Sequence, residues 1–267
     1  MTVEETGLEV VDTRVDGAFA ARQLHTRDAA MQMEGLRRLS HALLERPETI
    51  LQELVQTAIQ LCNADSAGIS IEQPEMGDEA FYKWVAASGE YSAFINATLP
   101  RYPSACGVCL ERGHAQHFTV TPKFFEILGV EASPVTDGIL LPWQSEGTRG
   151  TIFVMAHGRT EAFDENDVRL MNMLADFSAM GIRQQKVQAK LIVQERAQAA
   201  THMANDLAHK INNPLQSLTN TAYLMAAGAT TVDMQTMGRD LSAEIERLSE
   251  LVRQLLALPF DKKTIVS

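Results

Sequence analysis

Gly138-Ile-Leu-Leu-Pro-Trp-Gln-Ser-Glu-Gly-Thr-Arg-Gly-Thr-Ile-Phe-Val-Met-Ala156 is the stretch from which the fold can be read. Two runs rich in branched and aromatic residues, Gly138–Trp143 and Thr148–Ala156, flank Gly147, and this pattern predicts two strands closed into a hairpin. Upstream, Ser66-Ala-Gly-Ile-Ser-Ile71 and Phe81-Tyr-Lys-Trp-Val-Ala-Ala87 read as a second strand pair, with turn-like Pro74 and Gly77 between them. Before them the hydrophobic period is helical. Met33, Leu36, Leu39 and Leu43 share one face of a helix over residues 18–44, and Ile50, Leu54, Ala58 and Leu61 share one face of another over residues 47–63. Residues 1–17 are polar and pattern-poor, and they are expected to fray. Strand pairs embraced by helices make an α+β domain.

Downstream the pattern is helical throughout. Asp164 is placed as an N-cap, with Asp167 at N3 and Phe163 positioned to staple against Val168. Leu170, Leu174, Phe177, Ile182, Val187 and Leu191 then continue without a proline as far as Pro214; Gly181 is the one position at which the run could divide in two. A stop is expected near Gly228, a plausible C′ residue. A second helix follows over residues 232–258, with a heptad seam at Leu241, Ile245, Leu248, Val252 and Leu255. Two such helices form an antiparallel hairpin that buries too little surface alone, so pairing of two chains into a four-helix bundle is expected.

Within the first of these helices lies Asp206-Leu-Ala-His-Lys-Ile-Asn-Asn-Pro-Leu215. Asp206, His209, Asn213, Gln216 and Asn220 recur at helical spacing as a polar stripe, with Leu207, Ile211 and Leu218 on the other side. Pro214 removes a helical hydrogen bond just after the histidine and is expected to bend the rod. A bare reading of His209 is an exposed histidine on an amphipathic helix.

Two family resemblances follow. The middle region resembles a GAF domain, carried by Ala64-Asp-Ser-Ala-Gly-Ile-Ser70, Pro103-Ser-Ala-Cys-Gly107, Gly138-Ile-Leu-Leu-Pro142, Gly147-Thr-Arg-Gly-Thr-Ile-Phe-Val154 and Phe163-Asp-Glu-Asn-Asp-Val168. That resemblance implies an antiparallel sheet flanked by helices and a small-molecule sensor; such domains take ligands from cyclic nucleotides to tetrapyrroles, so the fold leaves the ligand unknown. The stretch around His209 resembles the H-box of two-component histidine kinases, His-Glu-x-Asn-Asn-Pro-Leu. It implies that His209 is a phosphoacceptor, that Asn213 positions water for dephosphorylating a partner, and that the hairpin (HisKA-like) dimerises and meets a response-regulator receiver domain. Lys210 departs from the pattern, because the family carries an acid there as general base, and an ammonium cannot take a proton at neutral pH. The catalytic candidates are therefore His209, Asn213 and Lys210, with phosphotransfer or phosphatase action expected rather than autokinase action.

Composition limits the alternatives. A formal charge of −11 over 267 residues argues against sequence-independent nucleic-acid binding and anionic-membrane binding. No run approaches a membrane span, and the acidic N-terminus lacks a signal peptide, so a cytoplasmic protein is expected. Three cysteines make no disulfide framework. Cys106-Gly-Val-Cys109, with His114 and His117 close behind, is the vocabulary of a zinc site. Packing thiols, metal ligands and a redox pair are all conceivable, and packing is preferred, so no metal is assigned. A bilin chromophore would want a cysteine followed by histidine, whereas Gly107 and Leu110 follow here. Phe81, Tyr82, Trp84, Phe94, Tyr102, Phe118 and Trp143 could line a pocket, although aromatics at strand positions are more often core, and no ligand contact is assigned.

The expected organisation is a tail and helix over 1–34, a GAF sensor over 35–185, a dimerisation and phosphotransfer hairpin over 186–258, and a tail over 259–267. No nucleotide-binding box follows the hairpin, so an ATP-binding kinase domain would act in trans. The competing expectations are a fragment of an intact sensor kinase and a dimeric scaffold without phosphate chemistry.

Overall fold

A computed structural model describes residues 3–73, 81–227 and 231–256. The elements in chain order are α1 (Val3–Thr6), β1 (Leu8–Asp12), α2 (Gly17–Ala20), α3 (Ala29–Glu45), α4 (Ile50–Cys62), β2 (Ser66–Glu72) and β3 (Phe81–Gly89). After a 3-10 turn at Glu90–Phe94 come β4 (Thr98–Pro100), α5 (Ala105–Arg112), β5 (Gln116–Val120), α6 (Pro122–Leu128), β6 (Val135–Ser145), β7 (Thr148–Ala156), α7 (Glu165–Ala226) and α8 (Thr231–Leu256). The chain divides into two compact units, residues 1–188 and 189–267. The turn expected at Pro74 and Gly77, the stop at Gly228, the Leu255 side chain and the tail over 259–267 lie outside the described residues.

In the first unit the described strands form one antiparallel sheet in the order β1-β5-β6-β7-β2-β3-β4. Its centre is the hairpin expected from the sequence. Ser145 pairs with Thr148 across a two-residue turn, Glu146 and Gly147, both at positive φ, which is the conformation that matches the right-handed twist of the strands. The middle strands are apolar without alternation because both faces are covered. On one face Ala67, Ile69, Ile139, Leu141, Trp143, Ile152 and Val154 pack with α3, α4 and the start of α7. On the other, Trp84, Phe118, Leu140, Phe153 and Met155 meet α5, α6 and the 3-10 turn.

The N-terminal region differs from expectation. Residues 8–12 do not fray; β1 pairs with β5 from Leu8↔Val120 to Asp12↔Gln116. A five-residue edge strand carries too little pattern to be read alone, and its ladder is supplied by a distant partner. The helix expected over 18–44 is divided. Asp16 caps α2 through the Ala18 and Phe19 amides, and Asp28 caps α3 through those of Ala30 and Met31. The extended segment between them is held by two arginines. Arg22, nearly buried, grips Asp137 at 2.8 Å, and His117 Nε2 approaches the same carboxylate at 2.6 Å. Arg27 pairs two-pronged with buried Asp167 at 3.0 and 2.8 Å.

The start of α7 is a reciprocal cap. Asp164 Oδ1 accepts from the Asn166 and Asp167 amides, and Asp167 Oδ2 accepts from the Asp164 amide. Phe163 and Val168 lie in the same apolar cluster, as a staple requires. Helical structure passes through Gly181 without a break; a Cβ there would lie 3.0 Å from Ile50 Cγ2, so glycine lets α7 approach α4 closely. It also passes through Pro214.

In the second unit the later part of α7 and α8 face each other across a groove. Pro214 is buried in it, and Leu207, Ile211, Leu218, Leu241, Leu248 and Leu251 are half-buried. Ile245 and Val252, expected in the same seam, remain exposed at 54% and 46%.

Removing the Asp137 charge isolates its partner. Asp137→Asn should destabilise the fold by roughly 3 kcal/mol at pH 7, because Arg22 keeps a buried charge without its counter-ion. Burial alone would raise the Asp137 carboxyl, but the His117 and Arg22 hydrogen bonds outweigh it and hold the carboxyl below the usual carboxylate range. The native state therefore binds fewer protons than the unfolded chain, and this stability is full above the ordinary aspartate value of about 4 and lost as pH falls through the folded value. Urea denaturation between pH 7 and pH 3 should show that loss in the wild type and a shallower one in Asp137→Asn. Gly150→Ala should lower the melting temperature by the equivalent of roughly 3 kcal/mol, because its Cβ would lie 1.9 Å from the Ser70 carbonyl oxygen and 2.5 Å from the Trp143 ring; calorimetry checks it.

Candidate functional site

In the first unit an apolar space lies under α5 and α6, against the face of the sheet opposite α3 and α4. It is a cavity of about 300 Å³, walled by Trp84, Tyr91, Phe94, Phe118, Phe124, Phe125 and Phe153, with Leu8, Leu99, Leu128, Leu140 and Met155 between them. Two glycines set the walls. Gly68 pairs directly with Phe153 and Gly138 with Phe118, and each ring lies over the glycine, where a Cβ would come within 2.4 and 2.5 Å of it. A glycine inside a strand opposite an aromatic makes room for the ring to lie along the sheet.

The cavity carries few polar atoms, and most are engaged. The Tyr91 hydroxyl donates to the Ser133 carbonyl. Ser104 Oγ caps α5 by accepting from the Gly107 amide at 3.4 Å. Cys106, whose thiol lies 3.2 Å from Thr151 Oγ1, is buried, and burial pushes that thiol up despite its Thr151, Ser70 and Ser104 hydrogen bonds. Trp84 Nε1 is buried and has no hydrogen-bond partner among the described residues. No lysine, arginine, histidine, aspartate or glutamate is among the described residues that line the cavity.

Of the aromatics considered from sequence, Trp84, Phe94 and Phe118 line this space. Tyr82 is buried beside it, Trp143 lies on the other face of the sheet, Tyr102 is largely exposed, and the Phe81 side chain lies outside the described residues. Tyr91, Phe124, Phe125 and Phe153 were not anticipated as lining residues. The glycine-aromatic pairs were the available signal, but it required the strand register.

The four residues with zinc vocabulary separate. Cys106 and Cys109 are both buried on α5, with Cys109 Sγ against the His114 and Leu140 carbonyls. His114 pairs with Asp12 at 2.7 Å, and His117 bridges Asp16 and Asp137. His25, Asp164 and Asp167 do come together, but Asp167 takes Arg27 and Asp164 caps α7, so the trio acts as a clasp. Burial raises the Asp167 carboxyl, which Arg27 only partly offsets; Asp164, also penalised by burial, is held low by the amides of His25, Asp167 and Asn166.

On the hairpin His209 is exposed, as the polar stripe required. Lys210 Nζ pairs with Asp206 Oδ2, one turn back, at 2.7 Å. Lys210, Asn213 and Pro214 line the groove with Glu244, Arg247 and Leu251 of α8. Among the described residues Glu244 Oε2 is buried there without a hydrogen-bond partner, and Arg247 Nη1 lies 3.6 Å from Oε1. Because Pro214 has no N–H, the Lys210 carbonyl lacks its helical donor. Among the described residues no helix is long and apolar enough to cross a membrane.

No curated protein matches the chain. Among solved structures, the GAF domain of a phosphoenolpyruvate-protein phosphotransferase from Coxiella burnetii is 17% identical, with 61% of this chain and 99% of that chain covered and a TM-score of 0.47. Free methionine-R-sulfoxide reductase from Neisseria meningitidis is 16% identical over 64% of this chain and 99% of that one, with a TM-score of 0.48. The phycoerythrobilin-bound GAF domain of a cyanobacterial phytochrome is 15% identical over 61% and 100%, with a TM-score of 0.44. No histidine-kinase dimerisation family is detected on the hairpin. The GAF domain family matches residues 46–182, just over half of the 267 residues and the whole of the sheet from β2 to β7, and the chain belongs to that family.

Proposed function

We propose that the chain is a two-component signalling protein in which the GAF cavity senses a small molecule and His209 passes phosphoryl groups to or from a response regulator. The observation that carries the reading is the exposed His209 beside the Asp206–Lys210 pair, on the helix that begins against the GAF sheet. A histidine in water on a rigid rod is free to meet a partner's aspartyl phosphate. Asp206 neutralises Lys210 locally, while Asn213, one turn on, has an amide able to orient water. The Lys210 substitution favours phosphotransfer or phosphatase action over attack on ATP, since the general base of the H-box pattern is missing.

A route from cavity to helix is only one residue thick. On β7, Phe153 and Met155 face the cavity while Ile152 and Val154 face the cluster that holds Leu170, Met171 and Leu174 of α7. A ligand that presses on Phe153 shifts a strand whose other side supports α7, which is the differential contact a population shift needs.

Two chains complete the hairpin in this reading. Ile245 and Val252, seven residues apart on α8, leave an apolar stripe that a second copy would cover to form a four-helix bundle. Charge reversal tests this: Ile245→Glu with Val252→Glu should convert a dimer to a monomer in analytical ultracentrifugation. A wild type that sediments as a monomer at micromolar concentration contradicts the bundle.

The relay is tested by incubating the protein with phosphorylated receiver domains, and separately with a kinase ATP-binding domain and ATP. Acid-labile, base-stable phosphate should appear on the wild type and be absent in His209→Ala, and Lys210→Glu should raise labelling from ATP. Loss of receiver phosphate without labelling, abolished in Asn213→Ala, identifies a phosphatase. If neither occurs with any receiver, the hairpin is a dimeric scaffold.

A further inference from the structure

We infer that Arg183, Gln185 and Lys186 form a latch that ties the exit of α7 to the GAF sheet, and that the tip of the β6–β7 hairpin works it. This rests on the relay reading above and gives that relay its point of control.

Apolar anchorage of α7 in the first unit ends at Ile182, which is 4% exposed, and the side chains from 183 to 188 are exposed or half-buried. Just past that limit three polar side chains take over. Arg183 Nε meets Glu146 Oε1 at 2.9 Å, and Lys186 Nζ donates to Thr148 Oγ1. Three residues apart, these two share the helix face turned to the hairpin tip. Gln185, on another face, donates through Nε2 to the Pro47 carbonyl at 2.9 Å, in the α3–α4 connection. Two elements therefore hold the exit, and one of them carries walls of the cavity.

Leu140 and Phe153 pair directly across the β6–β7 ladder, and both line the cavity. Ser145 and Thr148, which flank the tip, pair five residues further along each strand, about 17 Å at the usual rise. The ribbon between is braced. Trp143 lies over Gly150, where a Cβ would come within 2.5 Å of its ring, and Arg149 is tied to Glu72 of β2 at 2.8 Å. A shift at Phe153 is thus passed along the ladder to Glu146 and Thr148. The contacts it meets there exchange easily, because a pair as exposed as Arg183 and Glu146, at 65% and 52%, adds little stability and competes with water. The apolar contacts up to Ile182 fix α7 in place, and the latch sets how closely its next turns follow the sheet.

Hydrogen exchange of the full-length protein reads the latch at amides 187–195, with the amides of β2 and β7 as the check on folding. Glu146→Arg, which sets two cations together, should speed exchange at 187–195 ~3-fold, the size an exposed ion pair allows, and adding Arg183→Glu should return it to the wild-type rate. Phe153→Leu, which withdraws a cavity wall, should speed exchange there in the wild-type background and add nothing to Glu146→Arg, as two changes on one coupled path do. Leu140→Val, on the facing strand, takes its place if β2 and β7 lose protection. The inference is overturned if Glu146→Arg leaves exchange at 187–195 unchanged, if the reversed pair does not restore it, or if the cavity-wall and tip substitutions act additively. Phosphate labelling of His209 is measured on the same proteins. Labelling that changes in Glu146→Arg and recovers in the reversed pair supports latch and relay together. A latch seen by exchange with no labelling of the wild type removes the relay and leaves the latch standing, whereas equal labelling of every variant keeps the relay and overturns the latch as its control.

Discussion

A sheet covered on both faces must be apolar on both faces, and this constraint governs the first unit. The middle strands β2, β6 and β7 supply apolar side chains alternately to two clusters, one on each face. On the α3–α4 face the commitment is complete, with Leu39, Ile50, Leu54, Ile139 and Ile152 fully buried. The other face has the same apolar character but is left hollow.

The hollow face and the filled face share strands, so they are not mechanically independent. Phe153 is a wall of the cavity and its neighbours Ile152 and Val154 are part of the support for α7. Gly181 brings α7 close to Ile50 and Leu51, so the helix has little slack to absorb movement of that support. Close packing of this kind is bistable rather than elastic.

Much of the fold was legible because it is local. The β6–β7 hairpin announced itself through Gly147 between two branched runs, and the α7 cap through Phe163-Asp-Glu-Asn-Asp167. The exposed position of His209 followed from helical spacing alone. The illegible parts depend on partners remote in sequence. β1 is a strand only because β5 lies beside it, and residues 21–28 stay extended only because Arg22 and Arg27 find Asp137 and Asp167 more than a hundred positions away. The cavity was partly visible, since Trp84, Phe94 and Phe118 stand out by type, but Phe153 looked like any core residue of a buried strand. Its role depends on facing Gly68 across the β2–β7 ladder, a matter of register. The cysteines show the reverse case: a spacing that suggested chemistry belongs to thiols packed on α5.

The two arginine clasps have a consequence for what counts as a domain here. The family match begins at residue 46, yet β1, α2, α3, Arg22 and Arg27 precede it and are integral to the first unit. A fragment cut at the family boundary would strip β5 of its edge partner, uncover Asp137, and leave the acidic cap of α7 without its cation. The module that recurs across proteins and the compact unit of this structure are thus different lengths of chain. The N-terminal segment is a brace that gives the long helix α7 of this GAF domain a fixed anchorage at its start.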